Sequence, residues 1–252
     1  MSAWASENEL SLGQVQVDKK SNEIKAIPRL LDLLVVKDCI VTLDAMGCQK
    51  AISKKIRSKE GDYVFTLKGN QGNLHERVRN FFNNHQESSF RNLDHEFHMT
   101  EEKSHGRHET RSYYLVNDLA FLKPHKGWQD LNGVGMVISE RTVNGKTSSQ
   151  TRYFITSLGT RSISDFARAV RCHWGIENKV HWILDVCFRE DQCRVRKNYA
   201  AQNFAMLRKI VLNLIKQDKK TKASFKARKL LATWSENYAL EVLIGKKLND
   251  SN

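Results

Sequence analysis

The spacing of apolar and polar positions along this 252-residue chain changes several times, and each change marks an element. Residues 2 to 17 read as two short strands around the turn Glu7-Asn8-Glu9, which predicts a hairpin at the start. Ile24, Ile27, Leu30, Leu31 and Leu34 then recur at helical spacing behind Ser21 or Asn22 as a cap, with Pro28 costing the helix one hydrogen bond. Cys39 to Leu43 is a continuous β-rich run, the pattern of a strand buried on both faces, and it stops at Asp44. A loop through Gly47 leads to a helical stretch from about Cys48 to Lys59. A second buried-type strand runs from Tyr63 to Leu67 and ends at Lys68-Gly69-Asn70. Strand, helix, strand predicts a right-handed βαβ crossover with parallel strands. Ligand sites in open α/β sheets gather at the carboxyl ends of strands, where Asp44 and Lys68 both stand.

After a helix around Leu74 to Phe82, residues 83 to 108 read as polar and irregular. Strands follow at Glu109 to Val116 and Gly135 to Val143, and the type I′ signal Asn144-Gly145 turns the chain into a partner strand, Thr147 to Leu158. Beyond Ser164, a good N-cap, everything reads helical. The helix from Asp165 to about Phe188 has an inward stripe of Phe166, Val170, Trp174, Val180 or His181, and Leu184, and Glu177 falls on that stripe. An ionised carboxylate on an apolar face costs several kcal/mol unless it is paired or binds a metal. Glu177 therefore reads as a buried ion pair with Arg171 or Lys68, as rotated to the rim, or as a metal ligand. His173, Glu177, His181 and Asp185 succeed one another at i+4 spacing, with Asn178 adjacent. A strand-end Asp44 and a helix-borne Glu177 together would suit Mg²⁺ or Mn²⁺, which prefer oxygen ligands. Two-metal phosphodiester chemistry needs such a site, but two carboxylates are too few for two metals.

Composition narrows the partner. The net charge is +13, and from Arg194 to Asn252 there are 14 Lys and Arg against 4 Asp and Glu, so that tail holds most of the excess. A basic concentration of this kind suits a polyanion, most simply nucleic acid, or else a solvated helix face. With 40% hydrophobic residues and two prolines the chain can bury a core. No apolar run approaches the roughly 20 residues of a membrane span, and MSAWASENELS does not read as a signal peptide, so a cytoplasmic protein with no membrane partner is expected. Five scattered cysteines without a Cys-x-x-Cys pair suit reduced thiols better than disulfides or zinc.

Longer blocks carry a family resemblance. Ser21-Asn22-Glu23-Ile24, Thr42 to Gln49 (TLDAMGCQ), Leu67 to Gln71 (LKGNQ), Glu102 to Arg107 (EKSHGR) and His173 to Val186 (HWGIENKVHWILDV), closing with Glu190-Asp191, resemble bacterial insertion-sequence transposases of the H-repeat-associated kind. The resemblance implies an α/β, RNase H-like core, with a mixed sheet and flanking helices, carrying a DDE triad in which Asp44 is the second acidic residue and Glu177 the third. It also implies DNA strand cleavage and transfer with Mg²⁺ or Mn²⁺, transposon ends as partner rather than a small-molecule substrate, a homodimer for synapsis, and nucleoid association when DNA is bound. The first triad aspartate, carried in the family by an Asp-Gly-Lys strand, has no counterpart here, so a truncated chain with weak metal binding and no activity alone is expected. A non-catalytic, basic DNA-binding derivative is the alternative. His173 and Leu184 also replace residues of the better-known tyrosine, arginine, glutamate, lysine signature.

On this reading residues 1–84 form the first part of the core, 85–158 a β-rich insertion, 159–193 the helix of the third acidic residue and 194–252 a basic helical region. Lys68 would neutralise a phosphate oxygen, while His173, Asn178, His181 and Asp185 support the carboxylates. His105, Arg107 and Arg111, together with Arg194, Arg196, Lys197, Arg208 and Lys209, are the candidate DNA contacts.

Overall fold

A computed structural model describes residues 1–17, 23–104, 106–122 and 127–245. In chain order the elements are β1 (Ser2–Ala5), β2 (Leu10–Gln14), α1 (Glu23–Asp32), β3 (Ile40–Leu43), α2 (Lys50–Arg57), β4 (Asp62–Leu67) and α3 (Gly72–Glu87). Four longer strands follow, β5 (Glu96–Ser104), β6 (Arg107–Val116), β7 (Gly133–Val143) and β8 (Lys146–Thr156). The remaining helices are α4 (Ile163–His173), α5 (Trp182–Phe188), α6 (Ala200–Gln217), α7 (Phe225–Trp234) and α8 (Glu236–Ile244). They sort into two compact units, one spanning Val17–His173 and the other combining Met1–Gln16 with the chain from Trp174.

The first of these units is built on a six-stranded mixed sheet of order β3-β4-β8-β7-β6-β5. The predicted βαβ unit is present: β3 and β4 pair in parallel, Ile40 opposite Asp62 and Leu43 opposite Phe65, and every other pair is antiparallel. Asn144 and Gly145 both take positive φ, 49° and 75°, as a type I′ turn between β7 and β8 requires. Helix α4 covers one face through Phe166, Ala167 and Val170, which pack with Val64, Tyr113, Leu115, Val137 and Phe154. Burying Phe166 and Val170 is worth about 1.5–3 kcal/mol each. Gly135 of β7 permits this approach, since a Cβ there would stand 2.3 Å from the Phe166 ring. Tyr63 and Phe65 alternate to the opposite face, where the Tyr63 hydroxyl donates to the Gln129 carbonyl (3.0 Å) and Ser53 of α2 accepts from the Gln129 amide (3.4 Å).

Three local expectations are corrected. First, β3 is an edge strand whose residues are half-buried, because among the described residues it pairs only with β4. Second, the stretch read as irregular from 83 to 108 holds regular elements on both sides of a turn: α3 runs on to Glu87, and β5 is a nine-residue strand whose apolar Phe97 and Met99 face solvent while Glu96, His98, Thr100 and Glu102 face inward. Third, the helix predicted from 165 to 188 is broken. α4 stops at His173, a π-turn spans Glu177–His181, and α5 ends at Phe188, with Arg189 as its cap at φ 51°. Ser164 lies inside α4 rather than capping it. The Glu96 carboxylate instead accepts from the backbone amides of Arg161 (2.7 Å) and Ile163 (3.2 Å) at its start. The candidate caps of α1, Ser21 and Asn22, lie outside the described residues.

In the other unit β1 and β2 form the predicted hairpin, with a bulge between Ala3 and Trp4. Asn213 of α6 binds the hairpin edge in both directions, donating to the Ser11 carbonyl and accepting from its amide, each at 2.8 Å. Val180, Ile183, Leu184 and Leu212 form its core, with Trp4, Ile176 and Phe225 packed against it. Ser224 and Ser235 cap α7 and α8 through the amides of Ala227 and Tyr238, both at 3.2 Å.

Candidate active site

Asp44 follows the last residue of β3, and its side chain caps the turn Ala45–Gly47. Oδ1 accepts from the amides of Met46 (3.2 Å) and Gly47 (3.3 Å), while Oδ2 takes neither bond. The residue is exposed, so its carboxylate is oriented by backbone and open to solvent. Lys68 stands exposed just beyond the end of the adjacent parallel strand β4. The loops after the two strands are tied together: Asn70 Nδ2 donates to the Ala45 carbonyl and Gln71 Nε2 to the Cys48 carbonyl, both at 2.7 Å. Sequence reasoning did not single out Asn70 and Gln71, although both lie in the LKGNQ block. His173, on the last turn of α4, shares a 3.0 Å hydrogen bond between Nδ1 and the Thr42 hydroxyl, two residues before Asp44.

On the same unit, Arg111 is only 11% exposed and its guanidinium is taken up by Glu102 (3.2 Å) and Glu109 (2.5 Å). Arg171 of α4 makes a two-pronged bond to the same Glu102, both distances 2.9 Å, and this holds the Glu102 carboxyl below its usual range. Arg111 thus belongs to the network fastening α4 to the polar face of β5. Arg107, near the β5–β6 tip, is more open, its nearest carboxylate being Glu109 at 3.9 Å. His105 lies outside the described residues.

The other unit holds Glu177, Asn178, His181 and Asp185. The π-turn, not an α-helical stripe, sets the direction of Glu177, whose side chain is 55% exposed. Val180 takes the inward place at 1% exposure. The burial cost that singled out Glu177 in the sequence is therefore absent, and of the readings left open there its exposure matches rotation to the rim. The neighbour of Glu177 is His181, whose Nδ1 lies 3.5 Å from Glu177 Oε2. Asn178 and Asp185 are exposed. In the basic region Arg194, Arg196 and Lys197 are exposed on the segment before α6. Arg208 is turned to Glu190 (3.4 Å) and Lys209 donates to Gln14 Oε1 (2.7 Å), with burial holding the Lys209 pKa down.

Exposed carboxylate oxygens at Asp44 and Glu177 fit hard divalent cations in kind. Asp44 lies on one unit and Glu177 on the other, and among the described residues no group of three or more His, Cys, Asp or Glu side chains gathers to hold a metal ion. No helix of the described residues is long and apolar enough to cross a membrane.

The chain is 38% identical to YbfL of Escherichia coli K12 over 99% of its own length, and 37% identical over 99% to the protein of that strain named "H repeat-associated putative transposase YhhI". It is 38% identical over 96% to the "Putative transposase YncI" of E. coli O157:H7. It spans 66%, 66% and 62% of those three relatives, about two thirds of their length. Residues 2–214 match the family described as the transposase DDE domain. With this match over most of its length, and with the mixed α/β sheet and flanking helices that the sequence blocks implied, the chain belongs to the DDE transposase family.

Proposed function

We propose that this chain carries part of the machinery for DNA transposition: cutting of DNA strands at transposon ends and their joining to new DNA. Asp44 and Glu177 are two of the carboxylates that hold Mg²⁺ or Mn²⁺. The observation that carries this reading is Asp44 itself, a carboxylate at the carboxyl end of a βαβ strand, held through one oxygen by two backbone amides with the other oxygen left for a cation. When bound, the metal ions would lower the pKa of the attacking hydroxyl and stabilise the leaving oxygen. Lys68 neutralises a non-bridging phosphate oxygen from the neighbouring strand end. His173 holds the strand of Asp44 through Thr42, and His181 orients the Glu177 carboxylate from 3.5 Å. Asn178 and Asp185 support the Glu177 turn. Catalysis of this type works by positioning and charge, with in-line attack by water in cutting and by a 3′-hydroxyl in joining.

Arg107, Arg194, Arg196 and Lys197 are the proposed backbone contacts. Arg111, Arg208 and Lys209 act through the protein neighbours that hold them. The open edge of β3 supports a further strand beside it in the active protein, carrying the remaining metal-binding aspartate. On that reading the chain alone binds DNA without cutting it, as a basic DNA-binding protein would, and a homodimer brings two ends together at the nucleoid.

The test is strand cleavage of transposon-end DNA with Mn²⁺ or Mg²⁺, by the chain alone and with a peptide supplying an Asp-bearing strand. Cleavage that needs the peptide and is lost in Asp44→Asn and Glu177→Gln is the expected result. Cleavage by the chain alone overturns the inactivity, and cleavage that survives both substitutions overturns the assignment of the carboxylates.

A further inference from the structure

The π-turn of Glu177 is anchored on both sides by the β1–β2 hairpin and the end of α6. A single π-turn has no neighbouring π geometry to support it, so its shape depends on what surrounds it. Its inward residue, Val180, sits in the core with Ile183, Leu184 and Leu212. Its outward Lys179 forms an ion pair with Glu9, which occupies the hairpin turn with φ 54°. Lys219 approaches the same carboxylate at 4.0 Å, and the bond from Lys179 holds the Glu9 pKa down.

Just before the turn, Gly175 backs onto Trp4 of β1, since a Cβ at 175 would lie 3.5 Å from the indole Nε1. That Nε1 is buried with no hydrogen-bond partner among the described residues. The Lys216 ammonium lies 4.6 Å from the centre of the Trp4 ring, in a residue only 7% exposed. A buried indole N–H without an acceptor and an ammonium drawn out of water both work against stability, and the cation–π contact offsets only part of that. A connection that served only to join two helices would need neither.

We propose that this arrangement is a clamp that fixes the direction of the Glu177 carboxylate, with Glu9, Lys179, Trp4 and Lys216 as positioning residues. The inference rests on the reading of Glu177 as a metal-holding carboxylate. It extends the function of that site to a hairpin more than 160 residues away in sequence.

Two measurements on the full chain test it. Hydrogen exchange of the amides of residues 175–182 is expected to quicken tenfold or more in Glu9→Gln and in Lys179→Met, while β7 keeps its wild-type rates. The charge-swapped double variant, Glu9→Lys with Lys179→Glu, is expected to return to within threefold of wild type. Terbium ion alone, excited through the exposed Trp174 and Trp182 that flank Glu177, reports the carboxylate. Its affinity is expected to fall at least threefold in the two single variants, to recover in the swap, and to vanish in Glu177→Gln. Unchanged exchange in both single variants overturns the clamp. Faster exchange with unchanged terbium affinity, where Glu177→Gln abolishes the signal, overturns its positioning role. No terbium signal, or one that Glu177→Gln leaves intact, overturns the metal reading of Glu177 and any positioning role with it.

Discussion

The imidazole of His173, at the last turn of α4, is hydrogen-bonded through Nδ1 to the hydroxyl of Thr42 on β3 at 3.0 Å. The strand that ends at Asp44 is thereby tied to helix α4 of the same unit. Replacing Thr42 by Val keeps the shape and removes the bond, and is expected to cost about 0.5–1.5 kcal/mol in urea unfolding. A double-mutant cycle with His173→Ala should return most of that as coupling. A coupling near zero would mean that the hydrogen bond does not hold the helix to the strand.

Gly135→Ala places a methyl group where the Phe166 ring already lies, 2.3 Å away. Overpacking of this kind costs about 1–3 kcal/mol. Phe166→Leu on the Gly135→Ala background should recover part of the loss relative to the sum of the single changes, measured by denaturant midpoint at constant m-value.

The acid limb of stability should depend on Asp218. Burial alone would raise its pKa, but hydrogen bonds from the Tyr238 hydroxyl and from Thr221 and Lys220 outweigh it and bring it down to about 2, from 3.8. A depressed folded-state pKa contributes stability that is fully present above about pH 3.8 and is lost as pH falls toward 2. Asp218→Asn should therefore flatten the pH dependence of unfolding in that window and destabilise the chain at neutral pH. An unchanged acid limb would count against the network.

DNA affinity should separate the cations by what already holds them. Arg194→Ala and Lys197→Ala should each weaken binding evenly across sequences and reduce the slope of log affinity against log salt by about 0.9 for each phosphate left without its cation. Arg208→Ala and Lys209→Ala should leave that slope unchanged and lower the thermal midpoint instead, because Glu190 and Gln14 hold their side chains. A larger slope change at Arg208 than at Arg194 would reverse the assignment.

The legible parts of this fold are those where burial and polarity agree. Tyr63 to Leu67 is apolar because both faces of β4 are covered, and Asn144-Gly145 is a turn because two positive φ angles are needed. The strand β5 was hidden for the opposite reason. Its inward positions are Glu96, His98, Thr100 and Glu102, of which Glu96 caps α4 and Glu102 clasps Arg171, while Phe97 and Met99 face water. A pattern read for hydrophobic inward faces takes such a strand for a loop. Asp44 could be placed from the strand that it ends, whereas the exposure of Glu177 could not, because no proline marks the break before it and the stripe continues through Val180 and Leu184 beyond it. The partners of Arg111 were not legible in the same way, because Glu109 lies two residues away on its own strand and Glu102 on the paired strand β5.

The π-turn also works as a spacer. Each residue advances an α-helix by about 100°, but a π-turn takes one residue more than an α-turn to go once round, so the extra residue is absorbed and α5 continues as it would after an α-turn one residue shorter. Deleting Asn178 would close the turn to α-helical geometry and leave Ile183 and Leu184 facing Leu212. An added residue has no such outlet and would rotate that face by about 100°. A one-residue deletion here should therefore be tolerated far better than a one-residue insertion.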